Sequence, residues 1–84
     1  MVPIEQAIKD FIAKQFLSDR PDVVLHNDLP IIEQGIIDSL GIILLVAFID
    51  KELGIKMEPE DVVLENFRTV NALKKLLISK QQSQ

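Results

Sequence analysis

Cysteine is absent from the 84 residues, so no disulfide framework, thiolate metal site or cysteine nucleophile is available and packing must hold the fold. Basic residues are in the minority: nine Lys and Arg against thirteen Asp and Glu give a net charge of -4 and a pI near 4.8. That balance argues against non-specific attraction to nucleic acid or an anionic membrane, which calls for basic stripes, and no nucleic-acid partner is expected. Aromatic side chains are four phenylalanines, too few and too scattered for a base-stacking surface. Phe11 and Phe67 are expected in the core. The longest apolar run, Leu40 to Ile49, falls well short of the roughly 20 residues that a bilayer crossing needs, so it reads as a buried or docking helix with no membrane insertion. Met1 to Glu5 has neither a basic nor an apolar signal region, and a cytoplasmic protein is expected. Glu58, Glu60 and Asp61 lack the alternating ligand spacing and central glycine of a calcium loop, and no metal site is expected. The lone histidine, His26, reads as a solvated loop side chain with no role.

A hydrophobic content of 48% is enough for one core in a chain of this length, giving a single domain over residues 1–84, ordered over about 3–79, with a frayed tail at 80–84. Pro3 suits a helix start, and Ile4, Ala7, Ile8, Phe11 and Ile12 repeat at three-and-four spacing, predicting a first helix from about Pro3 to Leu17. Pro21 and its neighbours stop it. A long irregular connection follows to Ile37, with Asn27 to Pro30 as a turn, Gly35 as a breaker, and Leu25, Leu29, Ile31 and Ile32 available to pin it. Asp38 is a good N-cap for a second helix from about Ser39 to Leu53, stopped by Gly54. Glu58 to Asp61 reads as the start of a short third helix near Pro59 to Leu64. Thr69 caps a fourth, with Val70, Leu73, Leu76 and Leu77 inward and Lys74, Lys75 and Lys80 toward its C-terminal end. The class is all-α: a small four-helix bundle of three longer helices and one short one, with a long loop between the first two.

Gly35-Ile36-Ile37-Asp38-Ser39-Leu40 departs from generic helical sequence. On residue types alone, Asp38 and Ser39 are either an ordinary cap pair or a site that presents a hydroxyl at a helix N-terminus. The segment resembles the attachment motif of acyl and peptidyl carrier proteins, whose Asp-Ser-Leu core takes phosphopantetheine on the serine. The resemblance extends through Leu40-Gly41, Leu45-Val46 and Ile49 to Gly54, then Glu65-Asn66-Phe67 and Thr69-Val70. It implies a four-helix carrier fold, a 4'-phosphopantetheine arm drawn from coenzyme A, and a phosphopantetheinyl transferase that uses magnesium to join the arm to Ser39. The arm's thiol would then hold the cargo as a thioester. Nothing nearby is suited to activate Ser39 as a nucleophile of its own, so no catalytic residue is assigned. A phosphodiester on Ser39 would lie beside unpaired N–H groups and the positive end of the helix dipole.

The second helix carries two apolar stripes: Ile42, Leu45, Val46, Ile49 and Leu53 on one side, and Leu40, Ile43, Leu44 and Ala47 on another. A small core needs only one. The second stripe is expected to stay partly exposed and to serve, with Asp38 beside it, as a docking face for partners. Gly41 and Leu44 stand where familiar fatty-acid carriers often have acids, which points away from a housekeeping fatty-acid role. The favoured reading is a stand-alone, monomeric carrier serving an adenylating ligase, synthetase or synthase in a dedicated biosynthetic pathway. The alternatives are a housekeeping fatty-acid carrier and an unmodified binding module of the same fold. Cargo is expected to shelter between the second and third helices, with Ile55, Val62 and Val63 near the mouth.

Overall fold

The structure is a computed structural model, and it describes residues 3–82. Three α-helices carry the fold: α1 over Ile4–Phe16, α2 over Ser39–Leu53 and α3 over Val70–Gln82. No strand occurs among the described residues. The expected short third helix is instead two separate 3-10 turns, Pro59–Asp61 and Leu64–Phe67. Such turns suit this segment, because it is too short to add apolar periodicity and the chain breaks between them: Val62 bends so that the Val63 N–H donates to the Asp61 carbonyl, and Val63 lies extended. The last helix continues through Gln81 and Gln82, which the sequence places in a frayed tail; Ser83 and Gln84 lie outside the described residues.

Ile8 and Ile12 of α1, Leu45 and Ile49 of α2, and Val70, Leu73 and Leu77 of α3 meet in one buried cluster around Phe67. Phe11 is only partly buried: its ring stacks on Phe48 at 4.3 Å and meets the edge of Phe16 at 6.1 Å. Three of the four phenylalanines thus form one line from α1 to α2.

The long loop is fixed by its own backbone. Ile36 and Ile37 both donate to the Ile31 carbonyl, and Ile31 donates to the Arg68 carbonyl at 3.0 Å. The Asn71 N–H reaches the Asn27 carbonyl at 3.0 Å, and the Asn71 side-chain amide donates to the Asp28 carboxylate at 2.7 Å. Ile31, Ile36 and Ile37 are buried, and Leu25, Leu29 and Ile32 half-buried, which satisfies the requirement that a structureless connection be anchored by packing and paired polar groups. Gly35 permits the sharp turn here with φ 73°.

Thr69 caps α3 by accepting the Ala72 N–H at 3.0 Å. Two lysines of α3 do more than complement the dipole. Lys74 pairs with Glu5 of α1 at 2.8 Å, and Lys80, the basic residue in the last turn, pairs with Asp61 at 2.6 Å. The second pair is the more shielded, with side-chain exposures of 20% and 16%. Asp61 also accepts the Glu58 N–H at 2.9 Å, so the first 3-10 turn is tied to α3 at one carboxylate.

Candidate functional site

The start of α2 is built from both sides of Ser39. Asp38 adopts an extended backbone and its carboxylate accepts the Gly41 N–H at 2.9 Å, while its carbonyl takes the Ile42 N–H as the first helical bond. This accounts for two of the N–H groups of the first turn. Those of Ser39 and Leu40 find no partner among the described residues. Asp38, Ser39 and Leu40 are exposed, whereas Ile37 and Gly41 on either side are buried. The serine hydroxyl therefore stands in solvent at the positive end of a 15-residue helix whose first turn holds no acidic residue.

Two free backbone donors, a dipole and an exposed hydroxyl fit a phosphodiester, which needs hydrogen bonds and positive potential but no enclosing pocket. The prosthetic group would bring the reactive thiol; the Ser39 hydroxyl and the helix end would hold its phosphate. Among the described residues no cluster of His, Cys, Asp and Glu is arranged to hold a metal ion.

The exposed stripe of α2 lies as its spacing requires. Leu40 and Ile43 are each 63% exposed, Leu44 is 37% exposed and Ala47 is exposed, while Ile42, Leu45 and Ile49 are buried on the opposite side. Gly41 is not part of that outward surface: it is buried, and an added Cβ would crowd the Phe16 ring and Ile37. The expected cargo mouth also needs correction. Ile55 is 1% exposed and belongs to the core, held there because the left-handed Gly54 turns the chain back so that the Ile55 N–H donates to the Ile49 carbonyl. Val62, Val63 and Leu64 are exposed. A groove among the described residues lies elsewhere, between the start of α1, the later turns of α2 and α3, and is lined by Ile4, Phe48, Leu53 and Ile78 with the Glu5–Lys74 pair. Periodicity gave no sign of it, since it arises from three helices meeting.

Lys74 holds the Glu5 carboxyl below its ordinary value, helped by a hydrogen bond from Asn27. Lys80 does the same for Asp61, aided by the Glu58 N–H. Both are scaffold pairs on side chains other than Asp38 and Ser39. His26 is exposed.

An all-helical chain whose second helix offers a serine at its N-terminus is the architecture of a tethering domain. The family model for the phosphopantetheine attachment site matches residues 6–77, and the chain belongs to that family. It is a carrier protein with a 4'-phosphopantetheine prosthetic group; it tethers substrate and is not itself an enzyme. Members interact in general with a phosphopantetheinyl transferase and with synthetases or synthases. Among solved structures the chain is similar to one described as the crystal structure of an FAD-dependent dehydrogenase, at 34% identity and a TM-score of 0.72, over 83% of this chain and 97% of that one. No curated protein matches at a comparable level. No helix of the described residues is long and apolar enough to cross a membrane.

Proposed function

We propose that Ser39 is the attachment residue and that the protein carries an acyl or aminoacyl thioester between partner enzymes of a dedicated pathway as a stand-alone, monomeric carrier in the cytoplasm. The observation that carries this reading is the exposed Ser39 hydroxyl beside the unpartnered N–H groups of Ser39 and Leu40, inside the matched family segment. Attachment forms a bond from Ser39 Oγ to the pantetheine-bearing phosphorus and breaks the pyrophosphate of coenzyme A. The nucleotide leaves with the other phosphate, and the hydroxyl proton passes to a base of the transferase. An adenylating ligase then loads the thiol, docking on Leu40, Ile43, Leu44 and Ala47 with Asp38 as a polar anchor.

Incubation with coenzyme A, magnesium and a promiscuous transferase is expected to add one phosphopantetheine mass to the wild type and none to Ser39→Ala. An unchanged wild-type mass, under conditions that modify a control carrier, would leave an unmodified module of the same fold.

A second partner is favoured by the similar solved structure. The match takes in 97% of that chain yet fits within 84 residues, too few for the two βαβαβ halves of a dinucleotide-binding fold. A carrier-sized chain in a structure so described supports a tethered cargo that is oxidised on the arm. An FAD-dependent dehydrogenase would remove two electrons and two protons from the acyl group, reducing FAD to its dihydro form. Loss of two hydrogens from the loaded carrier on incubation with such an enzyme, read by intact mass, tests it; cargo unchanged while the enzyme oxidises another loaded carrier would refute it.

A further inference from the structure

Gly41 serves a different purpose from the other two glycines. Gly35 and Gly54 have positive φ and open space around the missing side chain, so backbone conformation selects them. Gly41 is helical and enclosed: a Cβ would lie 3.1 Å from Ile37 Cγ2 and 3.2 Å from both Cε1 and Cζ of Phe16. The Phe16 ring, at the last residue of α1, therefore rests on the bare backbone of the first turn of α2.

That ring is itself held. Phe11 meets it edge-on at an interplanar angle of 81° and is stacked in turn on Phe48, about two turns beyond Gly41 along α2. The aromatic line leaves α2 at Phe48, crosses α1, and returns to α2 at Gly41. The same glycine gives its N–H to Asp38, and Ile37 closes the other flank from the buried end of the loop. Ser39 is exposed, and it lies in the chain between the buried Ile37 and Gly41, so their seat sets the direction of its Cα–Cβ bond.

We propose that Phe16, lodged in the notch left by the absent Gly41 side chain, is a positioning residue for modification of Ser39. This rests on the reading of Ser39 as the attachment residue. A transferase must bring the serine hydroxyl in line with the phosphorus under attack, and transfer rates fall by about 100-fold for misplacement near 1 Å. Gly41→Ala demands a shift of a few tenths of an ångström between ring and turn. On that scale the expected loss is roughly 3- to 10-fold in kcat for transfer. KM should change little, because Leu40, Ile43 and Leu44 are untouched.

The test measures transferase kcat and KM separately for Gly41→Ala, Phe16→Ala, Phe16→Leu and the double variant Gly41→Ala/Phe16→Ala, with helical circular dichroism and amide NMR shifts of Ser39 to Gly41 on each. Each single variant is expected to lower kcat with KM and helicity kept. The double variant should recover toward wild type, since the new methyl group fills the space that the ring vacates. Phe16→Leu, which keeps apolar bulk but lacks the flat edge, should fall between wild type and Phe16→Ala. Unchanged kcat in both single variants, additive losses in the double, or losses that appear only as lost helicity would each overturn the proposal. A wild-type protein that is not modified at all would refute the attachment reading itself, a separate result.

Discussion

Leu44→Glu and Ile43→Ser alter the outward side of α2, and their effects can be sized from exposure. Ile43 is 63% exposed and Leu44 37% exposed, so neither change opens a cavity, and unfolding free energy should move by no more than about 0.5 kcal/mol. Complete burial of a large aliphatic side chain is worth about 1.5–3 kcal/mol. With more than half of Ile43 available to a partner, loss of its contact should cost roughly 1–2 kcal/mol, about 5- to 30-fold in the KM for loading. Leu44→Glu should cost more than its smaller exposure implies, because docking would bury a carboxylate. Leu45→Ala is the internal control: Leu45 is fully buried, and the change should destabilise the fold by about 2–5 kcal/mol. Urea melts separate stability from docking, and loading is assayed with an adenylating ligase across a salt series. Exposed charge contacts are screened beyond about 8 Å at physiological ionic strength, whereas apolar contact is not, so wild-type KM should rise only modestly with salt. Normal loading by both surface variants, together with loss of wild-type binding in salt, would refute the apolar docking face.

Gly54→Ala places a Cβ at φ 66° and should destabilise the fold by about 1 kcal/mol, seen as a lower urea midpoint with unchanged slope. Lys80 holds the Asp61 carboxyl below its ordinary value of 3.8, so this pair's contribution is full above that pH and is lost as pH falls through the lower folded value. Asp61→Asn should flatten the acid limb of a stability profile while leaving neutral-pH helicity intact, and an unchanged acid limb would contradict the assignment. Sheltering of cargo should appear as NMR shift differences between free-thiol and loaded forms at Val62 and Val63; identical spectra there would exclude it for that cargo.

The helical frame was legible because its causes are local. Apolar periodicity marks α1, Asp38 and Gly54 bracket α2, and Thr69 opens α3, each acting within one turn of itself. The exposed stripe was legible for the same reason: α2 has more apolar sides than one small core can take. Other features depend on distant residues. Phe16 and Gly41 are 25 positions apart, and nothing in either neighbourhood signals the contact. A short Pro-Glu-Asp segment is read equally well as an α-helical first turn or a 3-10 turn, and only the bend at Val62 followed by the extended Val63 decides against a continuous helix. Ile55 follows a helix stop and so resembles a surface link, but the left-handed Gly54 folds it under Ile49.

The hydrogen bonds from Ile31 to Arg68 and from Asn71 to Asn27 have a temporal consequence. The loop that delivers Ile37 and Asp38 to the head of α2 is anchored by Arg68 just before α3 and Asn71 in its first turn, more than thirty positions downstream in each bond. Such sequence-distant closures delay folding, and during synthesis these partners emerge after α2 has already left the ribosome. A nascent chain ending near Leu53 would expose Ser39 on a loosely placed helix. On the proposed attachment at Ser39, a transferase that reads the geometry around that serine would act on the finished domain in preference to partial chains.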